Sequence, residues 1–177
     1  LANLLAGDAN FSGKMPFTYP KYINALANYD YKPCENMGQM GGNYNYDSVM
    51  DVQWEFGYGL SYSTFAYDNL SVDTDDNGAT VSFDVTNTSD VDGATVAQVY
   101  VGEVCPKVYR PDKELKGFAK VWLAAGQTKR VSVQLSRHAF RYYSVALDKW
   151  TLNPGMFDIS VGVNVADILL TKRVEIQ

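Results

Sequence analysis

Four carboxylates, Glu35, Asp47, Asp51 and Glu55, lie in or beside a stretch rich in Gly, Asn, Met and Tyr. A carboxyl group serves readily as acid, base or nucleophile. Such chemistry needs two of them held across a substrate with their pKa values pushed apart. The stretch has no sustained period that would face one against another, so each reads as a solvated or hydrogen-bonded loop residue. Tyr29, Tyr31, Tyr44 and Tyr46 fall in i, i+2 pairs. Their flat faces can bury the apolar side of a ligand while the hydroxyl keeps a polar contact, and the same spacing also covers one face of a half-buried strand. Tyr44 and Tyr46 are the candidate binding residues, with packing at a domain interface as the simpler role.

Other reactive types give little. His138 is the single histidine, and Cys34 and Cys105, both beside prolines, lack C-x-x-C spacing, so a zinc site has no support. A disulfide between them would stabilise by about 4 kcal/mol in the chain-entropy model, and two unpaired loop thiols fit the sequence equally well. Gly57-Tyr58-Gly59 lacks the spacing and following helix of a dinucleotide fingerprint. No phosphate loop, nucleophile elbow or metal-binding loop is visible, so no metal is expected. Three Asn-x-Ser triplets start at Asn10, Asn69 and Asn87, and they matter only in a glycosylating pathway. The mixed charges of residues 110–116 read as a solvated edge.

The 177 residues, 46% hydrophobic and 20% charged, suffice for one domain with a good core and a smaller piece. A net charge of −5 without any block of like charge removes electrostatic support for a nucleic acid or an anionic membrane. The apolar runs are too short to span a bilayer, and no signal peptide pattern is present.

The elements that must position these residues fall into two parts. Leu1, Leu4 and Leu5 at i, i+3 and i+4, followed by Gly7, predict the last turns of a helix with a glycine cap, an expectation that points to a piece of a longer chain. Short strands are predicted at residues 14–18 and 25–31, each needing a sheet to join, then a long loop over 32–53. Beyond residue 67 the pattern becomes two-residue alternation: Val81, Phe83 and Val85; Val131, Val133 and Leu135; Phe157, Ile159 and Val161. Further strands are predicted at residues 69–73, 94–103, 115–122, 140–145 and 167–176, with turns at Asp76-Asn77-Gly78, Asp92-Gly93, Ala125-Gly126 and Asn153-Pro154-Gly155. Seven or eight short strands at this spacing predict a β-sandwich.

Between the two parts runs Trp54-Glu55-Phe56-Gly57-Tyr58-Gly59-Leu60-Ser61-Tyr62-Ser63-Thr64-Phe65, whose glycines and aromatic rings suit a chain crossing pinned on both sides. Together with Gly7-Asp8-Ala9-Asn10-Phe11-Ser12-Gly13-Lys14-Met15-Pro16-Phe17-Thr18-Tyr19-Pro20, it closely resembles the carboxyl-terminal part of family 3 glycoside hydrolases, the β-glucosidase and β-xylosidase group. The likeness continues through Pro111-Asp112-Lys113-Glu114-Leu115-Lys116-Gly117-Phe118-Ala119-Lys120-Val121, then Ala125-Gly126-Gln127, Trp150 and Val161-Gly162.

The resemblance implies that residues 1–57 are the end of an α/β sandwich domain with its linker loop, and residues 58–177 a fibronectin type III-like β-sandwich in which residues 110–116 lead into a strand. It implies a parent that releases terminal β-linked glucose or xylose with retention and needs no organic cofactor. Retaining hydrolysis uses two carboxyl groups about 5–5.5 Å apart. In the family the nucleophilic aspartate belongs to an amino-terminal barrel, and the acid/base glutamate usually lies upstream of the Gly7 motif. No catalytic residue is therefore expected in this chain, and Glu35, Asp47, Asp51 and Glu55 stay outside that role. The expected partners are the upstream catalytic domains and, through them, an oligosaccharide. The expected compartment is periplasmic or extracellular. The alternative is a stand-alone sandwich that binds carbohydrate or protein through exposed aromatic residues.

Overall fold

The computed structural model describes residues 1–21 and 52–177. The predicted strand at 25–31, most of the long loop, Cys34, and the candidates Glu35, Asp47, Asp51, Tyr29, Tyr31, Tyr44 and Tyr46 lie outside the described residues.

The chain opens with helix α1 (Ala2–Ala6), ended as expected by Gly7 in the left-handed conformation at φ 88. Residues 14–18 do not form the regular strand that was expected. Pro16 has no N–H to give to a ladder, and regular pairing is confined to β1 (Tyr19–Pro20) against β2 (Val52–Trp54). Met15 alone pairs further along, its N–H donating to the Tyr58 carbonyl and its carbonyl accepting from Gly57, each at 2.8 Å.

Seven antiparallel strands then build the expected β-sandwich. β3 (Phe65–Asp75), β4 (Gly78–Asn87) and β7 (Thr128–Ser136) form one sheet in the order β3-β4-β7. β5 (Gly93–Glu103), β6 (Glu114–Leu123), β10 (Gly155–Gly162) and β11 (Ile168–Ile176) form the other in the order β11-β10-β5-β6. Because β6 pairs with β5 and not with β7, the count is three strands against four, whereas a constant-type immunoglobulin domain puts its fourth strand on the other sheet.

Alternation decides which side chains meet between the sheets. Val81, Phe83 and Val85 on β4, Val131, Val133 and Leu135 on β7, and Phe157, Ile159 and Val161 on β10 are all buried in one cluster with Val99, Val101 and Leu123. Tyr67 joins them with its hydroxyl 3.2 Å from the Thr95 hydroxyl, and burial pushes its pKa up against the opposing effect of that hydrogen bond. β3 and β4 close through Asp76 and Asn77, with the Asp75 carboxylate accepting the N–H groups of Asn77 and Gly78 at 2.8 and 3.0 Å.

The strand expected at residues 140–145 is divided. Arg137–Phe140 is a 3₁₀ turn that drives Phe140 into the core, edge-on to Phe157 at 5.3 Å between centroids. Beyond it β8 (Tyr142–Ser144) is a strand that pairs with β9 (Lys149–Thr151) in a separate hairpin. Burying Phe140 requires the chain to turn inward, which a continuous edge strand would prevent.

Candidate functional site

Of the four loop carboxylates only Glu55 is described. It is half-buried in the linker, and its carbonyl accepts the Tyr58 N–H at 3.0 Å. Among the described residues no group of three or more His, Cys, Asp or Glu could hold a metal ion. His138 sits in the 3₁₀ turn against the Trp150 ring at 4.4 Å, and Cys105 is an exposed free thiol. The concentrated chemistry lies instead at the junction between the first twenty residues, the linker and the sandwich.

Two side-chain amides make that junction. Asn10 uses its whole hydrogen-bonding capacity. Its Nδ2 donates to Ser63 Oγ at 2.7 Å and to the Asp92 carbonyl at 3.0 Å, while its Oδ1 accepts from Ser61 Oγ at 3.0 Å and the Tyr62 N–H at 2.9 Å. One amide thus ties the amino-terminal segment to the linker and to the β4–β5 loop. Tyr62 extends the attachment, donating to the Leu4 carbonyl at 2.7 Å and packing edge-on to Phe11.

Gln98 does the equivalent from the sandwich side. It is buried on the outer face of β5, where its Nε2 donates to the carbonyls of Gly57 at 3.0 Å and Val163 at 2.7 Å, and its Oε1 accepts from Tyr100 at 2.6 Å. The Val165 N–H reaches the Phe56 carbonyl at 3.0 Å, so the β10–β11 loop grips the same turn. The two linker glycines are required by contact. Gly57 has φ 81, and a Cβ there would meet the Gln98 amide; a Cβ on Gly59 would meet the Gly13 carbonyl oxygen. Lys14 lies beside this crossing, its pKa lowered by burial and partly restored by the charge of Asp167.

Sequence reasoning flagged the glycines but missed Asn10 and Gln98 as the residues that use them. The only signal was a polar residue inside an apolar strand, Gln98 between Ala97 and Val99. It also misread Arg110, which is no solvated edge. Arg110 is buried, donates to Glu103 at 2.8 Å and to Glu114 at 2.6 Å, and lies 5.9 Å from the Tyr142 ring centroid. Glu103 also accepts from Asn153 at 3.2 Å, so one ion network fixes the ends of β5 and β6. All three sequon asparagines use their amides: Asn10 as described, Asn69, at φ 54, donating to Asp84 at 2.7 Å, and Asn87, fully buried with its amide on the carbonyls of Val91 and Leu123.

Residues 95–165 match the family model for the fibronectin type III-like domain. Over 98% of its length the chain is 40% identical to the exo-α-(1→6)-L-arabinopyranosidase of Bifidobacterium longum, covering 24% of that protein. It is 33% identical over 95% of its length to the periplasmic β-glucosidase of Salmonella typhimurium, covering 23% of it. The crystal structure of the family 3 β-glucosidase of Bifidobacterium adolescentis superposes on 99% of the chain with a TM-score of 0.81 at 36% identity, and the chain covers 27% of that structure. The chain belongs to glycoside hydrolase family 3. It corresponds to the carboxyl-terminal part of family 3 proteins and spans about a quarter of the length of the relatives it matches. The Asn10 and Gln98 junction is thus where this family 3 chain joins its fibronectin type III-like sandwich to the segment before it. Among the described residues no helix is long and apolar enough to cross a membrane.

Proposed function

We propose that this chain is the non-catalytic carboxyl-terminal support of a longer family 3 glycosidase, exported from the cytoplasm, that releases terminal β-linked glucose or xylose. In that reading residues 1–57 complete an α/β domain and residues 58–177 form the sandwich that braces it. The observation that carries the proposal is the pair of saturated amides at the junction. Asn10, at a part-exposed seam, and Gln98, whose bond to Gly57 is buried, hold the amino-terminal segment, linker and sandwich to one another through several fixed bonds rather than a loose tether. Catalytic groups tolerate misplacement of only about 0.5 Å, so a rigid brace contributes to turnover without supplying a reacting atom. Phe17, Tyr19, Trp54 and Leu60 are exposed on the amino-terminal side and give the rest of the polypeptide an apolar surface to cover. Tyr44 and Tyr46 are the residues of this chain that would approach the rim of the substrate site.

Aryl β-glucoside and β-xyloside hydrolysis by this chain and by the whole protein tests the division of labour. The whole protein is expected to turn over and the chain to be silent. Activity in the chain alone, or unchanged turnover and melting temperature after deletion of residues 65–177 from the whole protein, would overturn the proposal.

A further inference from the structure

We propose that the groove between residues 8–12 and the outer edge of β6 is a saccharide-binding site. The choice of a β-linked glucan or xylan as its ligand rests on the activity proposed for the parent protein.

The groove follows from the junction. The Asn10 amide draws residues 8–12 alongside the start of β5 without covering the neighbouring edge of β6, leaving a cleft of about 660 Å³, within the roughly 300–1,000 Å³ of small-molecule sites. Its floor is Gly93 and Ala94, which stay low because neither carries a large side chain. Lys120 and Trp122 form one wall, on the exposed face of β6. Asp8, Ser12 and Asp92 stand on the other side.

The wall chemistry selects the ligand. Trp122 is 55% exposed, and Lys129 holds it in place, with its ammonium 5.7 Å from the ring centroid and donating to the Trp122 carbonyl at 2.8 Å. An indole fixed in this way offers a flat apolar surface to the C–H face of a pyranose. The polar groups around it are uncommitted. Asp8, Ser12 and Lys120 have no partner among the described residues, and Asp92 uses only Oδ1, to accept the Ala125 N–H at 2.9 Å.

Two carboxylates oppose binding of a phosphate or other anion, and the ammonium opposes a metal ion. An apolar segment would leave all three charges desolvated. A sugar satisfies the whole set, because each hydroxyl both donates to a carboxylate and accepts from an ammonium.

Titration of the 177-residue chain with cellotetraose and, separately, xylotetraose, read by calorimetry and by amide chemical shifts, tests the site. Binding near about 1 mM is expected for one of them, as for a small, open site. Trp122→Ala should weaken it at least about tenfold and Lys120→Met about threefold or more, whereas Trp150→Ala, on the distant β8–β9 hairpin, should leave it unchanged. Lys120→Met keeps the β-sandwich core untouched, so it decides the matter even where Trp122→Ala perturbs the fold. Neither heat nor shifts up to about 20 mM of either sugar, or an affinity indifferent to both substitutions, overturns the inference. No hydrolysis is read, so this result stands apart from the test of the supporting role.

Discussion

Replacing Gly57 by alanine probes whether the junction is held by the geometry described. Gly57 has φ 81, and an alanine in the left-handed region costs about 1–2 kcal/mol on backbone grounds alone. The new Cβ would also stand 2.7 Å from the Gln98 amide carbon, which must move. Moving it breaks the bonds to the Gly57 and Val163 carbonyls at 3.0 and 2.7 Å, about 1 kcal/mol each. The expected total is about 3–4 kcal/mol, a large part of the roughly 5–15 kcal/mol that stabilises a domain.

Urea unfolding of the chain followed by far-UV circular dichroism reads this as a midpoint shift of about 1 M or more, with m near 2–3 kcal/mol/M. A double-mutant cycle isolates the contact. In a Gln98→Ala background there is no amide to strike, so Gly57→Ala should cost only its backbone share, and the coupling should be about 2 kcal/mol. Strictly additive costs would refute the reasoning, because they would mean that the Gln98 amide does not occupy the space a Cβ needs.

Arg110→Ala should destabilise the chain by about 3–5 kcal/mol in the same unfolding assay, since it strands the buried Glu103 carboxylate. Adding Glu103→Gln should recover part of that loss, and no recovery would show that the pair is not the cause. The pH profile of the melting temperature should rise with pH in two separate windows, one acid and one alkaline. Arg173 holds the Asp158 carboxyl below its usual range, and Asn69 followed by Arg130 does the same for Asp84, so their stabilisation is complete above the unfolded value near 3.9 and is lost as pH falls through the folded values. Asp158→Asn should flatten that acid limb. The depressed pKa of Lys14 supplies the alkaline window: between its lowered folded value and 10.5 the unfolded chain holds more protons, stability rises with pH there, and Lys14→Met should remove that rise.

The sandwich was legible in the chain because its signal is local. A strand with one buried face repeats every two residues, and Val81, Phe83 and Val85, or Phe157, Ile159 and Val161, carry that period without reference to anything distant. The helix stop at Gly7 and the turn at Asp76 and Asn77 were local as well. Residues 140–145 were misjudged because the position of Phe140 depends on a space between the sheets that no local pattern describes. Arg110 looked like a solvent residue because its partners, Glu103 and Glu114, become close only when β5 and β6 pair.

By itself, then, the sequence determined the class of fold, the place where the chain changes character, and, through ordered motifs, the family. Only the tertiary structure decided what the junction is made of. Asn10 meets Ser61, Tyr62, Ser63 and Asp92, and Gln98 meets Gly57 and Val163, across separations of 41 to 82 residues. The groove beside Trp122 has the same origin, since its walls come from residues 8–12 and from β6. Periodicity encodes which face of an element is buried, whereas a polar site encodes which elements meet, and that is fixed only when the sheets pack and the loops close over them.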